Sequence, residues 1–248
     1  MIAHRGSSDE HAEHTAQAYR RAIDDGADGL ECDVRLTADG VPVCMHDRRI
    51  DRTSDGTGIV STRTYAELAE RDYSSWKSTD AEAGPGLLRL DDLIDIVLAA
   101  GRPLELAIET KHPVRYGGLV EERVVALLSR RRLVGPNSPI RVRMMSFSVT
   151  ALRRVKAATP GLPTVFLMDR VPVRCRSGWL PAGSRAAGPQ LSILRAHPDY
   201  VNRVHSAGGE VHAWVVDQPD EIDLCARLGV DVIITNRPKQ VRDRLRAR

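Results

Sequence analysis

The stretch Asp28-Gly29-Leu30-Glu31-Cys32-Asp33-Val34-Arg35-Leu36-Thr37-Ala38-Asp39-Gly40-Val41-Pro42-Val43-Cys44-Met45-His46-Asp47 decides the fold and carries the first chemistry. From Gly29 to Leu36 apolar side chains occupy alternate positions, the period of a strand with one buried face. Leu30, Cys32, Val34 and Leu36 share one face, and Glu31, Asp33 and Arg35 share the other. Thr37-Ala38-Asp39-Gly40 holds the Asp-Gly signal of a hairpin turn. Val41–Met45 is then an apolar return run that brings His46 back toward the carboxylates. Two carboxylates side by side on a buried strand repel each other and lose hydration, so they need a compensating cation. The bland alternative is a surface salt-bridge ladder beside a structural histidine, and the rest of the chain decides between the two.

Outward from this strand, short apolar runs alternate with amphipathic stretches. Ile2-Ala3 opens a short strand ending at His4-Arg5-Gly6. Glu13-His14-Thr15 opens a helix with Ala18, Tyr19, Ala22 and Ile23 on one side and a glycine stop at Gly26. Further strands are expected over Leu104–Lys111, Arg141–Phe147, Pro163–Met168, Ala186–Gln190, Glu210–Val216 and Asp231–Thr235. Helices are expected over Asp91–Ala100, with Leu93, Ile94, Val97 and Leu98 on one stripe, and over Leu119–Arg132 and Thr150–Ala158. Three more follow at Ser192–Ala207 (broken at Pro198), Pro219–Leu228 and Pro238–Arg246. Eight strands alternating with helices predict an α/β (β/α)8 TIM barrel. An open doubly wound sheet is disfavoured because no glycine-rich fingerprint follows the first strand.

Residues 47–86 are turn-rich, apart from a short helix near Tyr65–Arg71. They read as a small inserted segment after strand two, too polar to form core and lying over one end of the barrel. Residues 169–185, rich in Pro, Gly and Arg, are irregular. No internal repeat is visible, so the expectation is a single domain spanning residues 1–248.

A length of 248 residues is ordinary for a single barrel, and 42% hydrophobic with 28% charged residues is ordinary for a soluble domain. The formal charge of +3 is small, and aromatics are only 4% of the chain, so a basic, aromatic-interleaved nucleic-acid surface is disfavoured. Cys32, Cys44, Cys175 and Cys225 form no C-x-x-C pair and no zinc spacing. No apolar run suits a signal peptide or a membrane span. A reduced, cytoplasmic protein without stable membrane insertion is expected.

On a barrel, chemistry belongs at the carboxyl ends of the strands. His4 and Arg5 end strand one, Glu31 and Asp33 line strand two, and Glu109 and Lys111, two apart, end strand three. Ser146 ends strand four, Trp214 lies in strand seven and Asn236 follows strand eight. Three carboxylates from neighbouring strands are a ligand set for one hard cation, Mg²⁺ or Ca²⁺, and zinc is disfavoured without a soft donor cluster. Arg5 and Lys111 beside that cation suit a phosphate. His4 and His46 would act as a general acid/base pair on a phosphodiester. Trp214 is balanced between barrel filling and packing against the substrate.

The motifs His4-Arg5-Gly6, Glu13-His14-Thr15, Glu31-Cys32-Asp33-Val34, Val43-Cys44-Met45-His46-Asp47, Asp51-Arg52-Thr53, Glu109-Thr110-Lys111 and Thr235-Asn236-Arg237-Pro238 resemble those of the glycerophosphodiester phosphodiesterases, essentially end to end. The resemblance implies a TIM barrel with a small insertion after strand two. It also implies cation-dependent hydrolysis of small glycerophosphodiesters to sn-glycerol 3-phosphate and an alcohol, with attack by the substrate's own glycerol hydroxyl as one route. By motif, Glu31, Asp33 and Glu109 would be metal ligands, His4 and His46 the acid/base pair, and Arg5 and Lys111 phosphate ligands.

Three departures stand out. Ala12-Glu13-His14-Thr15 replaces the family's Pro-Glu-Asn-Thr, and His14 is expected to be an exposed residue at a helix start. Asn236 replaces an aspartate, weakening a carboxylate's hydrogen-bond role there, and residues 169–185 match poorly. Asp47, Asp51 and Arg52 read as loop-ordering groups, while His112, His197, His205 and His212 show no partner at useful spacing. Two alternatives stay open: a phospholipase D-type hydrolase of lysophospholipid or sphingomyelin, and a non-catalytic phosphate-binding barrel. The head group, the choice of cation and the oligomeric state are likewise open.

Overall fold

Alternation along β2 (Gly29–Leu36) sends Leu30, Cys32 and Val34 outward under the helices, while Glu31 and Asp33 turn into the barrel. β3 (Pro42–Cys44) returns antiparallel beside its end, pairing Cys44 with Val34 and Pro42 with Leu36. The structure, a computed structural model, describes residues 1–77 and 87–247. β1 (Ile2–His4) lies parallel to β2, and the circuit continues from β2 through β4 (Glu105–Thr110), β5 (Arg141–Ser146) and β6 (Thr164–Met168). β7 (Ala186–Pro189), β8 (Glu210–Ala213) and β9 (Val232–Thr235) complete it, and β9 pairs back onto β1 through Ile2 and Ile234. The result is the expected closed, eight-stranded parallel barrel of a TIM fold, with β3 as an extra antiparallel strand.

Helices α1 (Ala16–Asp24), α4 (Leu119–Arg130), α5 (Val149–Ala158), α8 (Pro219–Leu228) and α9 (Pro238–Arg246) lie close to their expected spans. The predicted break at Pro198 separates α6 (Leu191–Ala196) from α7 (Tyr200–Ser206). In α3 (Leu90–Leu98) the stripe Leu93, Ile94 and Val97 is buried, but Leu98 is exposed beyond its edge. Residues 169–185 hold only two short 3₁₀ turns where other repeats place a helix.

The segment after β3 departs from the expectation in one respect. Val43, Met45, Ile50, Val60, Leu68, Tyr73 and Leu87 bury one another in a small core of their own, with α2 (Tyr65–Ala69) inside it. These apolar residues are irregularly spaced along the sequence, so no strand or helix pattern announces them. Of the expected insertion, residues 78–86 lie outside the described residues.

Inside the barrel three layers stack. At the amino-terminal end, Arg143 Nε pairs with Glu105 at 2.6 Å and its NH1 with Glu210 at 2.7 Å, beside the fully buried His212. Above lies an apolar layer of Ile2, Ala107, Met145, Val165, Leu167, Ala186 and Ile234. The third layer, at the carboxyl ends, is polar.

Candidate active site

Register builds the carboxyl-end layer. Parallel pairing sets His4 beside Glu31 and Asp33 beside Glu109, so residues from β1, β2 and β4 meet at one height. Glu31, Asp33 and Glu109 are all buried and offer oxygens within 4.8 Å of one another. Arg5 Nε lies 2.9 Å and Lys111 Nζ 3.3 Å from Asp33, and Lys111 Nζ also contacts Glu109 at 2.8 Å. The predicted ligand set and the two cations are thus brought together.

The electrostatics are unbalanced. Burial opposes ionisation of Asp33, but Arg5, the His14 hydrogen bond and Lys111 hold its carboxyl well below the usual range. Burial and the adjacent Asp33 charge push Glu31 well above its ordinary value and Glu109 up to about 8. Asp33 Oδ1 is buried and accepts a hydrogen bond from no described residue. Three convergent hard oxygens, with Asp33 Oδ1 held only by the 3.3 Å ion pair to Lys111, fit a divalent cation of the Mg²⁺ or Ca²⁺ kind.

His4 sits in a fixed tautomer. Asn236 Nδ2 donates to Asp217 Oδ2 at 2.7 Å, so Asn236 Oδ1 faces His4 Nδ1 at 2.7 Å and must accept its proton. Nε2 is then left as the basic nitrogen. Burial and the Arg5 charge press the imidazole down to about 3, which keeps it neutral. Asn236 therefore still supplies the acceptor, with the nearest charge one hydrogen bond further from His4, on Asp217.

His46 is held differently. Its Nδ1 lies 2.6 Å from Asp47 Oδ1, and its backbone oxygen accepts from Arg35 Nε at 2.9 Å. Asp47 Oδ2 accepts from Arg52 Nε at 2.6 Å, and Arg52 grips both oxygens of Glu13 at 2.8 Å. Glu13 in turn accepts from Arg5 NH1 at 3.0 Å. An unbroken ionic chain, Arg5–Glu13–Arg52–Asp47–His46, thereby ties the end of β1 to the inserted segment. Arg52 and Asp47 do order the loop, as their spacing suggests, and through it they orient His46.

His14 corrects the sequence expectation: it is buried, with Nε2 3.0 Å from Asp33 and Nδ1 2.8 Å from the Tyr19 hydroxyl. His14 and Arg5 both adopt left-handed backbone, φ +63° and +57°, and the His14 amide donates to Arg5 O. Asn and His tolerate that conformation better than most residues, which explains how one stands where the other is usual. Gly6 follows at φ +86°, where a Cβ would meet the Ala18 backbone at 2.6 Å, so only glycine fits after His4-Arg5.

Of His112, His197, His205 and His212, three also have partners: His112 with Glu121, His205 with Asp231 and His212 with Glu210. Trp214 stands apart from the carboxylates. It follows β8, donates Nε1 to Gly188 O and meets the exposed Phe147 edge-on at 5.6 Å, so the two rings span the mouth from β8 to β5.

Residues 4–240 match the model of the glycerophosphoryl diester phosphodiesterase family. A Mycobacterium tuberculosis protein named "Probable glycerophosphodiester phosphodiesterase 1" is 46% identical over 244 residues, covering 96% of this chain and 89% of its own. The Bacillus subtilis glycerophosphodiester phosphodiesterase is 31% identical over 246 residues, covering 96% and 83%. Among solved structures, an Oleispira antarctica phosphodiesterase superposes with a TM-score of 0.86 at 24% identity, covering 99% of this chain and 96% of that one, a likeness of fold. With motifs, barrel and buried carboxylates in agreement, the chain belongs to the glycerophosphodiester phosphodiesterase family, enzymes that hydrolyse glycerophosphodiesters.

Proposed function

We propose that this protein cleaves glycerophosphodiesters to sn-glycerol 3-phosphate and an alcohol in a reaction that needs one divalent cation, Mg²⁺ or Ca²⁺, with His4 as general base and His46 as general acid. The observation that carries it is the convergence of buried Glu31, Asp33 and Glu109 beside Arg5 and Lys111, flanked by two imidazoles in different settings. The three carboxylates would hold the cation, which when bound offsets charge on a phosphoryl oxygen. Arg5 and Lys111 orient the diester phosphate as charge-assisted donors. His4 Nε2, neutral and unprotonated, takes the proton of the attacking hydroxyl, from water or from the substrate's glycerol. Burial lowers the pKa of His46, which makes it a readier proton donor; Asp47 orients the ring through Nδ1, and the imidazolium gives its proton to the departing alkoxide. Trp214 and Phe147 present an aromatic wall for the glycerol portion.

The Oleispira antarctica fold neighbour was solved with sn-glycerol-3-phosphate, the product this reading assigns. The partner is a small diester; no described helix is long and apolar enough to cross a membrane. The four cysteines are free and buried, in keeping with a reducing, cytoplasmic setting.

The test is release of glycerol 3-phosphate from glycerophosphoglycerol by the parent protein and by His4→Ala and His46→Ala. Each variant is expected to lose about 10²- to 10⁴-fold in kcat. Undiminished turnover in either variant would remove that histidine from the mechanism.

A further inference from the structure

Between the end of β2, the inserted segment and the start of α4 lies a separate cavity of about 150 Å³, room for several waters. Its walls continue the chain segments that carry the site. Arg35 and Leu36 follow Asp33 on β2, Arg48 follows His46, and the loop bearing Arg115 follows Lys111 into α4. The inserted segment closes it with Val60 and α4 with Leu119, giving an apolar floor. Arg35 ties this wall to the site directly, through its Nε bond to His46 O.

The rim is unusual in charge. Arg5, Lys111 and Arg143 each hold a carboxylate. Arg35, Arg48 and Arg115 line one cavity, and among the described residues none has a carboxylate within ion-pair distance. Arg115 donates to Ser61 O and stacks on Tyr116, neither of which neutralises it. Arg35 faces the carboxylates of Asp33, Asp47 and Glu109, whereas the Arg48 and Arg115 guanidinium groups, without such partners, border a small apolar-floored space and favour an anion between them. Through Arg35 the cavity is one hydrogen bond from His46, the residue assigned to protonate the leaving alcohol.

We propose that this cavity seats the alcohol portion of the diester and selects alcohols that carry a second negative charge, a distal phosphodiester or carboxylate, over neutral or cationic ones. The inference rests on the phosphodiesterase reading of the neighbouring site.

Bis(glycerophospho)glycerol and glycerophosphoglycerol differ by one distal anionic group and are the discriminating pair, with glycerophosphocholine as the cationic control. The parent protein is expected to favour bis(glycerophospho)glycerol in kcat/KM, per ester linkage, by about tenfold over glycerophosphoglycerol, and to favour glycerophosphocholine least. Arg48 and Arg115 are exposed, so R48E/R115E should fold with an unchanged melting midpoint. It should lose the tenfold preference while its rate on glycerophosphoglycerol stays within about twofold. Equal rates on both diesters in the parent, or a preference that survives the charge reversal, would overturn the inference. Calorimetric titration of His4→Ala protein with bis(glycerophospho)glycerol separates the two claims. If no diester is turned over by the parent, the phosphodiesterase reading fails. The cavity is then judged by whether R48E/R115E weakens Kd about tenfold, which upholds it, or leaves Kd unchanged, which overturns it.

Discussion

His4 depends on Asn236, which places an acceptor on Nδ1 because Asp217 fixes the amide from behind. Asn236→Ala is expected to lower kcat by about 10- to 100-fold with KM little changed, since the ring loses its tautomer without losing a substrate contact. The exchange Asn236→Asp with Asp217→Asn keeps every hydrogen bond with the carboxylate moved beside His4, and it should restore most of the rate. Asn236→Asp alone sets two carboxylates at the 2.7 Å now spanned by a hydrogen bond and should not restore it. Steady-state kinetics on the four proteins decides the matter. Such partners were beyond sequence reading: Asn236 is 232 residues from His4, and the left-handed backbone that turns His14 onto Asp33 follows no period. The convergence of the three carboxylates was legible because Glu31 and Asp33, and Glu109 and Lys111, each obey the two-residue repeat of a strand.

At the scale of elements, the inserted segment is joined to the barrel by the Glu13–Arg52–Asp47 clamp. Burial raises the Glu13 carboxyl, but the Arg52 hydrogen bonds and the Arg5 charge overcome it and hold the group at about 2; Asp47 is likewise held at about 2, by Arg52 and His46 against burial. Both folded values lie below the unfolded ones near 4, so the clamp contributes fully above about pH 5 and is lost as pH falls toward 2. Unfolding free energy measured between pH 6 and pH 2 should fall more steeply in the parent than in Arg52→Gln, which lacks the clamp from the start. Parallel acid limbs in the two proteins would contradict the account. The elements themselves were mostly readable, since β2, β4 and the amphipathic helices carry their own periods. The small core under the inserted segment was not, because Ile50, Val60, Leu68 and Tyr73 meet only after the chain has folded back.

Across the whole molecule, the layered interior separates stability from chemistry. Arg143 binds Glu105 and Glu210 at one end of the barrel, and an apolar layer stands between them and the carboxylate site. Arg143→Ala leaves buried Glu105 with only the exposed Arg141 at 3.6 Å and Glu210 with Arg185 at 3.1 Å, and should cost about 1–3 kcal/mol in chemical denaturation while kcat of the folded enzyme stays unchanged. The opposite pattern is expected at the other end, where Glu31, Asp33 and Glu109 crowd negative charge that a cation would relieve. The most direct measurement is glycerol 3-phosphate release from glycerophosphoglycerol by EDTA-treated protein as Mg²⁺ or Ca²⁺ is titrated back, with Glu109→Gln alongside. Activity absent after chelation, restored by one equivalent of cation and requiring far more in Glu109→Gln, is the predicted result. Full turnover in EDTA, or restoration indifferent to Glu109, would contradict the assignment of the three carboxylates as a cation site.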